Sequence, residues 1–232
     1  MKKNLLLLLL LLLIPGACTN SSSYRINGHI NGDLADEWIY MVKFYSEEPK
    51  VDSVLISDGK FTFTGTCGFP ELWVIHNSRE NIRGFFPFFL EAGRLDITID
   101  AENWEQGSEI SGGTVNREYN ERIRSREKEL IALQLDTALA RTLGPVAFDS
   151  LVNSRMDEFA AFTYNFVKEN PASPISPFLL ARYFGTLPVE EMGSILGSFS
   201  PEVKQTSVCR QLQAQYDMLV KYNTSRPSLQ SE

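Results

Sequence analysis

Near residue 114 the apolar period of this chain changes from two to helical, and that change limits what it can fold into. Before it, Tyr24, Ile26, Gly28 and Ile30 alternate with Arg25, Asn27 and His29, and Asn31-Gly32 closes the segment as a turn. Residues 38–45 are rich in aromatic and β-branched side chains. Segments 51–57 and 60–66 flank Asp58-Gly59, a hairpin signal that puts Phe61 and Phe63 on one face and Thr62 and Thr64 on the other. Residues 71–76 read as a further strand. Segments 85–91 and 94–101 flank Ala92-Gly93 as a second hairpin, and 108–111 form a short last strand before Gly112-Gly113.

After the change, Tyr119, Ile123, Leu130 and Leu133 share one side of a charged helix over 116–135. Pro145 suits the first turn of a second helix, along which Phe148, Val152, Met156, Phe159 and Phe166 recur at helical spacing until Asn170-Pro171. Ser176-Pro177, Pro188 and Ser200-Pro201 each open a further helix, with Ser176 and Ser200 as N-caps. The last helix carries the stripe Val208, Leu212, Tyr216 and Leu219. The expected class is therefore α+β. An antiparallel β-sandwich or open barrel of seven or eight strands spans 24–114, a helical segment spans 115–222, and a polar tail spans 223–232.

The first 17 residues have the layout of a secretory signal: Lys2 and Lys3, an unbroken leucine run over 5–13, then Ile14, Pro15, Gly16 and Ala17. That run is shorter than the roughly 20 apolar residues a membrane-spanning helix needs. Gly16-Ala17-Cys18 resembles the bacterial lipobox, which makes Cys18 a lipidated N-terminus followed by a polar tether over 19–23. The alternative is an ordinary signal with Cys18 beside the cut by accident. With no Asp after Cys18 and no acidic run, resemblance to known sorting signals implies the periplasmic face of the outer membrane. Setting Lys2 and Lys3 aside leaves 20 cationic against 29 acidic side chains, and so acidic a chain lacks the basic patch that nucleic-acid binding calls for.

Beyond Cys18 the thiols are Cys67 and Cys209, which are either a disulfide pair or two small buried hydrophobes. There is no C-x-x-C and no G-x-S-x-G. His29 and His76 lie in separate strands without a second ligand at metal spacing, so no metal and no cofactor is expected. Gly112-Gly113-Thr114 ahead of a helix reads either as an anion-binding N-terminus or as a plain strand-to-helix turn. Phe85, Phe86, Phe88 and Phe89 are more aromatics than one sheet face uses. They form either a strand buried on both faces or, with Leu212, Tyr216 and Leu219, part of an apolar docking surface. Asp-Ser/Thr-apolar triplets at Ser53, Thr137 and Ser150 resemble the short O-glycosylation sequon of Bacteroidetes.

Taken in order, YRINGHI (24–30), DSVLISDGKFTFTG (52–65), FFLEAGRLDITID (88–100), ISGGTVNREYN (110–120) and ENPASPISPFLLARYF (169–184) carry a resemblance to a known family. The chain resembles the uncharacterised N-terminal domain of Bacteroidetes-type lipoproteins that precedes a thioredoxin-like domain of the AhpC/TSA, TlpA and ResA kind. In that family the thioredoxin-like domain starts just after the last helix; here the sequence ends about ten residues past Tyr222, and the catalytic C-x-x-C has no counterpart. The resemblance implies a fold, an exported compartment and association with redox enzymes. The expectation is a non-catalytic lipoprotein module held to the membrane by its lipid, with a thioredoxin-like protein or itself as partner. The alternative is a lipoprotein that binds a small molecule, glycan or peptide between sheet and helices.

Overall fold

The computed structural model describes residues 22–34, 37–46, 51–77 and 84–225. The signal segment, Cys18 and the last seven residues of the tail lie outside the described residues. Eight strands form two four-stranded sheets: β1 (Ser22–Asn31), β2 (Trp38–Lys43), β3 (Val51–Leu55), β4 (Lys60–Cys67), β5 (Glu71–His76), β6 (Phe85–Leu90), β7 (Gly93–Asp100) and β8 (Glu109–Ser111). One sheet runs β4-β1-β7-β8 and the other β3-β2-β5-β6. The α+β class and the sandwich follow the alternation read from the sequence.

Two details differ. β1 and β7 pair in parallel, with Ile26 opposite Leu95 and Gly28 opposite Ile97, within an otherwise antiparallel sandwich. Neither expected hairpin is one, because β3 and β4 lie in different sheets, as do β6 and β7. At Asp58-Gly59 both residues have positive φ and the turn is closed by the Ser57–Lys60 bridge, after which the strands part. Turn chemistry fixes a local reversal; strand pairing is settled by which hydrophobic face each strand must bury.

The first core lies between the sheets. Ile26, Phe61, Phe63, Leu95, Ile97 and Ile99 face Ile39, Met41, Ile75, Phe86, Phe88 and Leu90. Gly28 belongs to the inward row because the Phe61 ring fills its place; an added Cβ would come within 2.0 Å of Phe61 Cζ.

Among the described residues the α-helices are α1 (Trp104–Gly107), α2 (Thr114–Tyr119), α3 (Ser125–Gln134), α4 (Thr137–Leu143), α5 (Pro145–Glu169), α6 (Ile175–Leu180), α7 (Val189–Ser198), α8 (Pro201–Lys204) and α9 (Ser207–Ser225). A π turn over Asn120–Arg124 joins α2 to α3, so the expected helix over 116–135 holds with one widened turn. α4 had no periodic signal; Asp136 caps it by accepting from Leu139 N at 2.9 Å. Ser200 caps α8 as expected, but the expected single last helix is two, since α8 ends at Lys204 and the stripe lies on α9 from Ser207. Ser176 does not cap α6: it sits inside the first turn, buried, and its hydroxyl donates to Asn170 O at 2.6 Å.

A second core forms where the helices cover part of the outer face of the β3-β2-β5-β6 sheet. Leu72 and Phe89 point outward from that sheet and pack with Tyr119, Ile123, Phe166 and Leu179. The N-terminal half of α5 stands clear of this core. Its first buried side chain is Thr163, and Met156, expected on the buried stripe, is exposed. At the other end of the helical layer, Glu71 accepts from Ser207 N (2.9 Å) and Ser207 Oγ, and pairs with Lys43 at 2.7 Å, which fixes the start of α9 to β2 and β5. Among the described residues no helix is long and apolar enough to cross a membrane.

Candidate functional site

Gly112-Gly113-Thr114, read as a possible anion seat, is filled by the chain itself. Both glycines have positive φ, which L side chains rarely adopt, and they turn β8 into α2. The buried Glu91 carboxylate, at the end of β6, then accepts from Thr114 N (2.7 Å), Val115 N (3.2 Å), Asn116 N (3.0 Å) and Asn116 Nδ2 (2.9 Å). These are the orphan N–H groups a helix start presents, met by a negative charge where the helix dipole favours one. An external anion would have to displace Glu91.

Asn116 does a second task. Its side chain accepts from Phe89 N (2.9 Å) and donates to Phe89 O (2.7 Å), completing the free edge of β6 as a neighbouring strand would. One turn on, Asn120 donates to Ile110 O on β8 at 3.1 Å. The pair at i and i+4 lies on one helix face and joins the edges of both sheets. Arg124 extends the same seam. Its guanidinium donates to Glu105 O (2.7 Å) and Ser108 O (3.0 Å) and lies 4.6 Å over the Phe86 ring, and burial lowers its pKa.

The aromatic run of β6 serves both faces. Phe86 and Phe88 enter the sandwich core, and Phe89 goes under the helices, so those three offer no surface. Phe85, on the outward parity, is 42% exposed. Leu212 is buried, and Tyr216 and Leu219 are half-buried, so the stripe of α9 packs largely on the helical core and is not an open docking surface.

Part of the other half of the same outer sheet face is exposed. The register sets Leu55 beside Trp38, then Ser53, Tyr40, His76 and Phe85 across all four strands, then Val51, Val42, Val74 and Pro87. Trp38 (51%), Val51 (46%), Leu55 (45%) and Phe85 are exposed, while Val74 and His76 are buried within the face. The Tyr40 and His76 rings stack at 5.5 Å. The opposite sheet also turns a face outward, and there the residues are polar: Thr62 and Thr64 from β4, Arg25 and Asn27 from β1, Asp96 and Thr98 from β7. Sequence reasoning found Phe85 and missed Trp38, Leu55 and Val51. The available signal was that WIYMVK is apolar at both parities, which a half-solvated strand does not need.

The other candidate residues are scattered. Cys67 and Cys209 are free thiols, one against the sandwich core and one within the helical core, so of the two readings the disulfide is not the one seen. Burial pushes the Cys67 thiol up, as does Glu91, and burial pushes Cys209 up to about 11. His29 is exposed on the polar sheet face. No group of three or more His, Cys, Asp or Glu is placed to hold a metal among the described residues. Ser53 lies half-buried on β3, Thr137 is exposed directly after the α4 cap, and Ser150 is exposed on α5.

A groove of about 620 Å³ between α3 and α5 is lined by Leu130, Leu133 and Phe159 and by Arg126, Glu129, Arg155 and Glu158. No curated protein matches the chain. Residues 24–119, from β1 to the end of α2, match the model of a family described as a domain of unknown function (DUF4369).

Proposed function

We propose that this chain is a non-catalytic, membrane-anchored module that faces the periplasm and docks another protein through the apolar side chains exposed on the outer face of the β3-β2-β5-β6 sheet. The observation that carries this reading is the contrast between two solvent-facing sheet faces of one sandwich. One is polar throughout, and the other presents Trp38, Leu55, Val51 and Phe85. A solvated sheet face alternates to polar residues unless something covers it, and a contiguous apolar patch marks an interaction surface. The groove between α3 and α5 is ringed by charge, which does not favour the alternative of a small-molecule site.

Topology supports the anchored reading. β1 starts at Ser22, four residues after Cys18, and those four residues span at most about 14 Å. Following the strands, Ser22, Cys67, Glu71 and Gly93 share one end of the sandwich, while Trp38, Leu55 and Phe85 lie at the other. A lipid on Cys18 would hold the first end at the membrane and turn the patch away from it. The resemblance to redox-linked lipoproteins makes a thioredoxin-like protein the first partner to try.

A photocrosslinking residue placed at position 55 or 85 in the producing cell tests the proposal, with position 62 on the polar face as control. Discrete protein adducts are expected from 55 and 85 and not from 62. Equal labelling at all three positions, or none at 55 and 85, overturns it.

A further inference from the structure

No side chain of residues 125–162 is buried, although α3, α4 and the first part of α5 lie there. α2 and the π turn follow the β6 edge from Asn116 beside Phe89 to Arg124 beside Phe86 and Ser108, so α3 leaves the sandwich at the end opposite Ser22. α5 returns antiparallel to it: Arg126 lies 3.9 Å over the Phe162 ring, and Gln134 donates to Met156 Sδ at 3.5 Å. The result is a helical arm without a core of its own, carrying Leu135 (73%), Val146 (83%) and Met156 (44%) in the open. Ordering such an arm costs entropy that its own contacts do little to offset. Its helices carry side chains at intervals of three and four: Arg126, Leu130 and Leu133 on α3, and Val152, Arg155 and Phe159 on α5. That is the spacing of a coiled-coil seam. The apolar members are half-buried, so each stripe packs on the other and keeps part of its surface open along the groove between α3 and α5. A helix pair with a half-open seam is one half of a four-helix bundle.

We infer that the other half is the arm of a second copy of this chain, the two groove faces closing on each other. Three observations select this occupant. Residues 145–162 make the arm about 27 Å long, and two packed helices are about 20 Å wide, so two arms face to face bury about 1,100 Å² together. That clears the roughly 1,000 Å² of a specific contact, while a single helix laid in the groove covers about half as much. The groove is edged by Arg126 and Arg155 and by Glu129 and Glu158. On a chain of net charge −7 this edge is balanced, so a copy meets no net repulsion there and finds both signs to pair with. Direction agrees as well. A two-fold axis along the arms leaves both Ser22 ends on one side, as two chains tethered to one membrane require, and sets α3 of each copy antiparallel to α5 of the other. The contact is independent of the docking face above; only this last argument rests on the anchoring.

Sedimentation equilibrium of the lipid-free protein and two charge variants tests it. Glu129→Arg/Glu158→Arg makes the groove edge wholly cationic, and Arg126→Glu/Arg155→Glu makes it wholly anionic. All four side chains are exposed, so both variants should keep the circular dichroism of the parent. The parent should form a dimer with a micromolar dissociation constant. Each variant alone should dissociate at least tenfold more readily, and an equimolar mixture of the two should regain the parent's affinity. A parent that stays monomeric at about 100 µM, variants that dimerise as tightly as the parent, or a mixture that stays monomeric overturns the inference. A photocrosslinking residue in the parent gives a second reading that does not depend on the variants. Two-chain adducts are expected from position 133 in the groove and not from position 150 on the opposite side of α5. Adducts from position 133 to other proteins alone, or none, overturn it.

Discussion

Replacing Glu91 tests whether the seam between strands and helices is held by one carboxylate. In Glu91→Ala, three backbone N–H groups and the Asn116 amide lose their acceptor. A buried donor left unpaired costs about 1–3 kcal/mol. Glu91 lines an open cleft of about 500 Å³, so water can reach part of the vacated site, which lowers the sum. The expected loss is about 3–4 kcal/mol for alanine. For Glu91→Gln it is about 1–2 kcal/mol, because the amide keeps one acceptor oxygen but turns an NH₂ towards donors. For a chain of this length each kcal/mol lowers the melting temperature by about 2–4 °C, so the alanine variant should melt roughly 6–16 °C lower. Urea titration followed by tryptophan emission measures the free energy. Hydrogen exchange at residues 114–116 and at Phe89 locates the damage, since Asn116 loses its orientation together with Glu91. An alanine variant within about 0.5 kcal/mol of the parent, or exchange unchanged at those amides, refutes the argument.

Arg124→Met keeps the stem packed on Phe86 and removes the bonds to Glu105 O and Ser108 O. A loss of about 2 kcal/mol in urea titration is expected, and none is expected from Arg155→Met, whose ion pair is exposed. Because burial raises the Cys209 pKa from 9.0 to about 11, the folded state favours the neutral thiol. Stability should fall as pH climbs from about 9 towards 11, less so in Cys209→Ala, and iodoacetamide at pH 8 should label Cys209 in urea far faster than in the native protein. Cys18→Ala should leave the membrane fraction after a high-salt wash; retention there contradicts lipid anchoring. The purified protein should not speed insulin reduction by dithiothreitol, and activity that disappears in Cys67→Ser or Cys209→Ser would contradict the non-catalytic reading.

The period-2 and helical segments were legible because each element repeats its apolar residues at the spacing its own backbone imposes, and that spacing is local. Alternation in β1, β4 and β7 predicted which residues of one sheet face inward, and Ser200-Pro201 predicted a capped helix. Asp58-Gly59 marked a real turn, but the sequence could not tell a hairpin from a crossing between sheets. That depends on partners dozens of residues away: β1 takes β4 on one side and β7 on the other. Of the two readings of Gly112-Gly113-Thr114 the strand-to-helix turn holds, while what fills the helix start was not legible, since Glu91 reaches it only through the sandwich. In FFPFFL the sequence determined that one aromatic set faces the core and the other faces away. The tertiary structure alone decided that helices cover Phe89 and leave Phe85 open, because burial of an outward side chain is set by what packs over it and not by the strand that carries it.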